Sequence, residues 1–564
     1  MSPHAGGAYD VAVVGSGAAG GWAAKRLAEA GLKVALLDAG RRLADADYRE
    51  HLPAARLPFR NLAPELLRRN RPVQSQCYAL SEYNAGWFAN DLEEPYTSAA
   101  GMPFTWLGRM RAVGGRTNVW GRWSLRFSDL DFHAASHDGY GQDWPLSYRD
   151  LAPYYDQVER YIGVSGRREN DPVLPDGQFQ PAMPLTCVER QFHDRVRARL
   201  ARTVTIGRLA NLTRPLHGRA PCHYCGPCER GCVTHSYFNS AFTTVADALA
   251  TGRCTLIPEA MAYRVEMDSG RHRARGVSYL DRRTRRTREL RARAVVLCAQ
   301  SLESVRILLN SATRQDPNGL ANSSGVLGHY LMDHVYKGGG AGGEFDLPAG
   351  GALFGPRRPN GQGLYIARFR NTRERWPAFL RGYGIYGWSG AGLDWASPGL
   401  GENYLNRLRQ SRTPFALALT AYGECLPRWS NYVELDPERV DAFGLPVLRF
   451  HMRFGENELA MCRDMGASCG EMLAAAGARN IQTWTNPDPE PGWCIHEVGV
   501  ARMGRSPRSS VLNAFQQAHD VPNLFVMDGA GFPSSACQNP TLTIMALALR
   551  SSDYLLEQMR RGEY

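Results

Sequence analysis

The chain has 564 residues, 44% of them hydrophobic and 21% charged, a balance that fits a globular protein and excludes a disordered or fibrous one. The net charge of +11 is carried by scattered arginines, so no polyanion-binding face and no nucleic-acid partner are expected. No stretch approaches the roughly 20 apolar residues of a membrane span, and Met1–Ala8 has neither a twin arginine nor an apolar signal core, so no export address is expected on this chain.

The first elements follow at once. Tyr9–Val14 is a short, valine-rich apolar run that reads as a buried parallel strand. Gly15-Ser16-Gly17-Ala18-Ala19-Gly20 comes directly after it, then a helix stopping at Gly31, a second apolar strand Val34–Leu37, and Asp38. Strand, glycine turn, helix, strand and acid in this order form a dinucleotide-binding unit. Gly15 permits the tight turn, Gly17 lets backbone approach a pyrophosphate, and Gly20 lets the helix pack on the strand. The helix start at Ala18 offers free N–H groups to phosphates, and Asp38 can accept from ribose hydroxyls. The turn alone does not separate FAD from NAD.

Three later segments narrow the choice. Val113-Gly114-Gly115-Arg116-Thr117-Asn118-Val119-Trp120-Gly121 is a glycine-rich loop, followed by Trp144-Pro145-Leu146-Ser147-Tyr148 with Asp150, Leu151, Pro153, Tyr154 and Tyr155. Ala294–Leu309, with Ala299, Glu303 and Ser304, reads as a strand and a helix. The stretch from Trp493 to Leu549 contains His496-Glu497-Val498-Gly499, Arg502-Met503-Gly504, Asp528-Gly529 and Gln538-Asn539-Pro540-Thr541. Together these segments resemble the glucose–methanol–choline oxidoreductases. The resemblance spans nearly the whole chain; its ends are specific, and residues 340–490 match weakly.

That resemblance implies an α/β fold, a Rossmann-type FAD-binding domain with a discontinuous α+β substrate-binding domain. The FAD domain is expected from residues 1–130, 240–335 and 490–564, an insertion from 131–239, and the substrate domain from 336–489. FAD is expected to contact Gly15, Gly17, Ala18, Gly20, Asp38, Gly114, Gly115, Thr117, Asn118, Ala299, Asp528, Gly529, Asn539 and Thr541. Some sugar-oxidising members attach FAD covalently through a histidine of the glycine-rich loop. The corresponding place here is Val119, so non-covalent FAD is expected.

Alcohol oxidation requires a base for the hydroxyl proton while hydride leaves carbon, and a histidine titrates in the right range. A second hydrogen-bonding group must hold the oxygen as charge develops. Members of the family use a histidine followed some forty residues on by a histidine or asparagine; His496 and Asn539 match. The competing readings are a satisfied core histidine and a turn or helix cap before Pro540.

Thirteen cysteines, nine of them dispersed, fit a reducing compartment better than a disulfide framework. Four are packed into Cys222, Cys225, Cys228 and Cys232, with spacing C-x2-C-x2-C-x3-C. Such thiolates can wrap one iron–sulfur cluster, as in the bacterial ferredoxin run. Cys222, Cys228 and Cys232 also resemble the three-cysteine site of a 3Fe–4S cluster in multisubunit bacterial sugar dehydrogenases of the family, with Cys225 as a possible fourth ligand. A structural zinc, empty thiols and disulfides stay open. His223 and His235 read as surface or loop histidines that could join a metal site.

Between the motifs, Arg282, Arg283, Arg285, Arg286 and Arg288 read as a solvated hairpin, and Gly338–Gly343 as a hinge or loop. Tyr365, Phe369, Trp376, Phe379, Tyr383, Tyr386, Trp388 and Trp395 read either as ordinary core or as faces for sugar C–H surfaces. The C-terminal block and the cysteine segment look most like bacterial glycoside 3-dehydrogenases. The expectation is a dehydrogenase subunit acting on a secondary hydroxyl of a sugar or glycoside, working with a small subunit that carries the export signal and a cytochrome-type acceptor. The location would then be cytoplasmic, or periplasmic by co-export. The alternatives are an oxygen-using pyranose or glycoside oxidase, a gluconate or polyol dehydrogenase, and a flavin-bearing electron-transfer subunit without catalysis of its own.

Overall fold

The computed structural model describes residues 9–564 apart from 49, 54–55, 58, 60–63, 269, 271, 347–357, 360, 391–399 and 411–414. Trp395 and the Met1–Ala8 segment lie outside the described residues. Strand β1 (Tyr9–Val14) is joined through helix α1 (Ala18–Glu29) to strand β2 (Val34–Leu37), which pairs with it in parallel. Cys254–Ile257 adds parallel to β2, Arg286–Leu297 to the other side of β1, and Leu524–Val526 beyond that. Strands buried on both faces must be apolar throughout, and Val11–Val14, Val34–Leu37 and Ala294–Leu297 are buried without interruption.

The strand Arg286–Leu297 serves two neighbourhoods. Arg286–Arg291 pairs antiparallel with Arg273–Asp281, and Ala292–Leu297 pairs parallel with β1. Burial follows the same division: exposed and buried residues alternate through Leu290–Ala292 and give way to four consecutive buried residues, Ala294–Leu297. A one-sided antiparallel hairpin tolerates arginine at alternate positions, whereas the two-sided parallel sheet does not. The arginine-rich turn is accordingly solvated except at Arg282. That guanidinium folds inward onto the fully buried Glu94, at 2.9 Å, and onto the carbonyl of Ala39 at 3.0 Å.

A second, six-stranded antiparallel sheet runs in the order Arg479–Thr485, Gly339–Phe345, Phe415–Gly423, Tyr383–Gly390, Leu364–Ile366 and Val204–Ile206. The helix Glu456–Ala476 packs across one face. The glycine run is therefore a strand and not a hinge. A Cβ at Gly339 would sit 2.5 Å from the carbonyl oxygen of Cys462 on that helix, and one at Gly340 would sit 2.4 Å from that of Leu419. Glycine there lets helix and neighbouring strand close in. Side chains alternate across the sheet: Tyr383 bonds Ser468 of the helix, while Tyr386 and Tyr422 stand on the opposite face, ring centroids 4.1 Å apart. Tyr432–Val440, Pro446–His451 and Thr97–Ser98 form a small third sheet.

The chain's last helix, Thr541–Arg560, returns to pack on α1. Its path brings Asn539–Thr541 to the carboxyl edge of the parallel sheet, the edge where open α/β sheets bind ligands. Among the described residues, no helix is long and apolar enough to cross a membrane.

Candidate active site

A cavity opens at that edge, walled by the segments that follow four of the parallel strands. Gly15–Ala18 follows β1, Asp38 follows β2, Ala299–Ser301 follows Leu297, and Asp528–Gly529 follows Val526. Three helices begin at its wall: α1 at Ala18, the helix Ser301–Asn310, and the helix Thr541–Arg560. Free N–H groups and helix dipoles at three N-termini make the wall favourable to anionic ligand groups.

The residues present fit a bound dinucleotide. Gly15 has φ +96, and a Cβ there would lie 2.3 Å from the carbonyl oxygen of Cys298. A Cβ at Gly20 would lie 1.8 Å from the carbonyl oxygen of Gly15, whereas one at Gly17 would meet nothing closer than 4.0 Å. Gly15 and Gly20 thus close the turn, and Gly17 leaves open space on the cavity side. Asp38 accepts from the backbone N–H of Ser16 at 3.0 Å and of Gly40 at 2.7 Å, and from the Ser16 hydroxyl. Burial raises its carboxyl, and those hydrogen bonds pull the other way. It remains in the cavity wall, where its spare lone pairs can accept ribose hydroxyls.

Gly115, Thr117, Ala299, Asp528, Gly529 and Thr541 also face the cavity. Gly20, Gly114 and Asn118 stand behind the wall; Asn118 Nδ2 donates to the carbonyls of Val113 and Gly115 and holds the glycine-rich loop in shape. Val119 is buried in a separate apolar cluster with Leu107 and Trp87.

His496 lines the other end of the cavity, and His334, Asn539 and Tyr386, which do not line it, join His496 in one hydrogen-bonded chain. His334 Nε2 lies 3.3 Å from the carbonyl oxygen of Ser535, and its Nδ1 lies 2.9 Å from Nδ1 of His496. A carbonyl can only accept, so His334 carries its proton on Nε2 and offers a lone pair at Nδ1. His496 then carries its proton on Nδ1, and its Nε2 bears the lone pair. Asn539 Nδ2 stands 3.2 Å from that Nε2, and the Tyr386 hydroxyl donates to Asn539 Oδ1 at 2.7 Å. Burial lowers His334 to about 4. Burial, then His334 and Arg116, hold His496 well below the usual imidazole range. Both rings are neutral at pH 7, and His496 Nε2 is an acceptor that the Asn539 amide faces. That pairing removes a proton from a hydroxyl and stabilises the oxygen left behind.

The segment bearing His496 is fixed from behind. Buried Asp333 accepts from the backbone N–H groups of Gly492, Cys494 and His496 at 3.0, 3.2 and 3.0 Å. Burial and the neighbouring Glu497 push Asp333 up to about 7. Glu497 has a fully buried side chain and is clamped by Arg116 of the glycine-rich loop, with contacts of 2.6 and 3.0 Å. The base segment and the cofactor loop are thus locked together. Asp333, His334 and the Arg116–Glu497 clamp are not singled out by the sequence, and Tyr386 stands there only as one aromatic among eight, read as core or as a sugar-facing ring. The one available signal was the polar pair Asp333-His334 inside the apolar run Leu331-Met332 to Val335, since buried polar groups require partners.

The cysteine segment adjoins the same loop. All thirteen cysteines are free thiols. Cys228 and Cys232 are buried and pack with Tyr237, whose hydroxyl donates to the carbonyl of Asn118 at 2.6 Å. Cys222 accepts from the Tyr224 N–H at 3.4 Å and Cys232 from the Ser236 N–H at 3.3 Å. Buried Arg122 lies against Cys228. The sulfur of Cys225 lies with Glu50, His51 and His223, all four ligand atoms within 4.8 Å of one another, and is also within electrostatic reach of Cys228 and Cys232.

A dinucleotide cavity that ends on a neutral histidine base and an amide donor defines an oxidoreductase of alcohol groups. Models of the GMC oxidoreductase match residues 94–336 and 427–548, and a Rossmann-like NAD(P)-binding model matches residues 13–62. The chain is 30% identical to 2-methyl-1,2-propanediol dehydrogenase of Mycolicibacterium austroafricanum, over 97% of this chain and 95% of that one. It is 28% identical to the fructose dehydrogenase large subunit of Gluconobacter japonicus, over 98% of both chains. Pyridoxine 4-oxidase of Mesorbium loti shares the fold at TM-score 0.62 and 19% identity, over 97% of this chain and 99% of that one. The chain belongs to the glucose–methanol–choline oxidoreductase family: it is a FAD-binding enzyme acting on CH–OH groups. Bound FAD supplies the hydride acceptor; the cavity's end offers a neutral histidine acceptor and an amide donor.

Proposed function

We propose that this enzyme is a dehydrogenase that oxidises a secondary hydroxyl of a sugar or glycoside to a ketone, at carbon 3 of a pyranoside ring. Its electrons leave through a 3Fe–4S cluster held by Cys222, Cys228 and Cys232. The acceptor is a cytochrome-type protein, and a signal-bearing small subunit accompanies the chain.

The observation that carries the electron exit is the contact between the cysteine segment and the cofactor loop. Tyr237 packs on Cys228 and Cys232 and hydrogen-bonds Asn118, one residue from the cavity-lining Thr117. The N–H donors on Cys222 and Cys232, and Arg122 at Cys228, would offset sulfur charge in a bound cluster, which must overcome the burial that pushes the Cys222 thiol up to about 11. Beside Asn539, Tyr386 packs against Tyr422 and meets Trp123 edge-on at 4.7 Å, a buried aromatic cluster that fixes the amide. The relative named as the fructose dehydrogenase large subunit supports both the substrate class and a multisubunit assembly.

Dye-linked oxidation of methyl glucoside tests the reading, because the methyl group blocks oxidation at the anomeric carbon. A product carbonyl located at carbon 3 by NMR is the expected result. Turnover only with free glucose, gluconate or a non-sugar alcohol would move the substrate class. Oxygen consumption without dye would replace the dehydrogenase with an oxidase, the reaction type named for the relative paromamine 6'-oxidase of Streptomyces fradiae.

A further inference from the structure

We propose that Glu50, His51, His223 and Cys225 bind one zinc ion, which staples the segment around residue 50 to the outside of the cysteine loop. The site goes beyond the electron-exit reading and removes Cys225 from the iron–sulfur ligand set. The four ligand atoms lie within 4.8 Å of one another. The Nε2 atoms of His51 and His223 face each other at 2.9 Å, across 172 residues of sequence. His223 Nδ1 lies 3.4 Å from the Thr234 hydroxyl. A proton on Nδ1 is directed there, which leaves the Nε2 lone pair for a metal, the outer-shell arrangement usual for ligating histidines.

A separate observation points to a missing cation. The Glu50 side chain is fully buried. Its Oε1 accepts from the Val233 N–H at 2.7 Å and lies 3.9 Å from His51 Nε2, while its Oε2 is buried with no hydrogen-bond partner, so the carboxylate is under-satisfied beside the cluster. Leaving such an oxygen unsatisfied is costly, and a divalent ion beside it would remove the cost. Two neutral imidazoles, one thiolate and one carboxylate balance a charge of +2. Nitrogen and sulfur donors favour zinc and disfavour calcium or magnesium, which take oxygen. His51 and His223 are exposed, so the ion can enter from solvent.

The surroundings give the ion a mechanical role. Arg230 Nη1 donates to the carbonyl of Leu52 at 3.2 Å, and Asn84 Nδ2 donates to that of Glu229 at 2.8 Å. A Cβ at Gly231 would lie 2.0 Å from the Tyr48 ring. Tyr48, Glu50 and Leu52 thus contact Gly231, Val233 and Arg230, and zinc would tie the two stretches together.

The test uses the full-length protein, stripped with a zinc chelator and titrated with zinc. Metal content and zinc K-edge absorption are the readouts. One zinc per chain is expected, with a single sulfur in its shell. Glu50→Gln, which keeps the acceptor for Val233, and His223→Ala should each weaken zinc binding about tenfold or more. Iron content, flavin content and substrate bleaching of the flavin should not change. No zinc, equal affinity in both variants, two or more sulfurs in the shell, or loss of iron in His223→Ala would overturn the site. Absence of iron from every protein, with zinc unchanged, would remove the iron–sulfur reading alone.

Discussion

His334 and His496 meet nitrogen to nitrogen, Nδ1 to Nδ1, at 2.9 Å. Because the far side of His334 faces the Ser535 carbonyl, protons along the chain are directed one way, and His496 Nε2 is left as the acceptor that Asn539 Nδ2 meets at 3.2 Å. Nδ1 of His496 thus meets a residue 162 positions away, with Cys494 Sγ also within 3.1 Å of it. His334→Leu removes the acceptor for the Nδ1 proton and should lower the rate of flavin reduction about 100-fold with little change in KM. His334→Gln, which can still accept there, should recover most of the loss. An unchanged rate in His334→Leu would show that the contact does not set the tautomer.

Removing the base itself is the larger change. His496→Ala should slow substrate reduction of the flavin by about 10²–10⁴-fold. The FAD-facing wall from Gly15 to Thr117 does not depend on this ring, so flavin content should stay at the level of the parent. Near-normal reduction would transfer the base role to another group.

Acid should affect activity and stability through the same pair. His496 is depressed well below 6.5, so the flavin-reduction rate should be flat from pH 8 to about 6 and fall only at lower pH. His334 takes its proton at about 4 in the folded state and at about 6.5 unfolded. Below 6.5 the unfolded chain binds the proton first, so this contribution to stability is full above 6.5 and lost as pH falls toward 4, in all about 3 kcal/mol. Asp333, raised to about 7, works oppositely, its burial costing least when protonated. Urea unfolding of the parent and of His334→Gln across pH 4–7 separates the two. The parent should lose more stability on acidification than the variant, and equal losses would refute the assignment to His334.

Cys228→Ser tests the electron exit. Cys228 is buried against Tyr237 and Arg122, away from the His496–Asn539 chain. Anaerobic bleaching of the flavin by substrate should be near normal, while reduction of a cytochrome acceptor should be lost. Parallel loss of both would make the cysteine segment structural.

What the sequence disclosed depended on contiguity. Gly15 to Asp38 is one uninterrupted unit, and His496 and Asn539 stand in motifs recognisable one at a time. The chain around them was illegible because it is assembled across the fold. Tyr386 reaches Asn539 from a strand 153 residues earlier, and in sequence it is one aromatic among eight. Gly338–Gly343 reads as a loop because glycine disfavours strands; the close approach of the helix Glu456–Ala476 overrides that propensity. Arg282 looks solvated beside four other arginines, and only the distant Glu94 draws it inward.

The Arg116–Glu497 clamp gives the last prediction. Glu497 is fully buried and already adjoins the buried Asp333, which it pushes toward its neutral form. Arg116 offsets that charge through two hydrogen bonds, and it also donates to the carbonyls of Gly108 and Ile495 at 2.9 and 3.1 Å. Truncating the arginine strands the carboxylate, a loss of about 3–5 kcal/mol for a broken buried pair. Glu497→Gln should cost less, because Arg116 keeps its carbonyl partners. Arg116→Met should therefore lower the melting temperature more than Glu497→Gln, and the double variant Arg116→Met/Glu497→Gln should melt above Arg116→Met alone. Because the clamp joins the cofactor loop to the His496 segment, Arg116→Met should also reduce FAD content. A double variant that melts lower than Arg116→Met would mean that the arginine stabilises the loop through its carbonyl contacts and not through the buried charge.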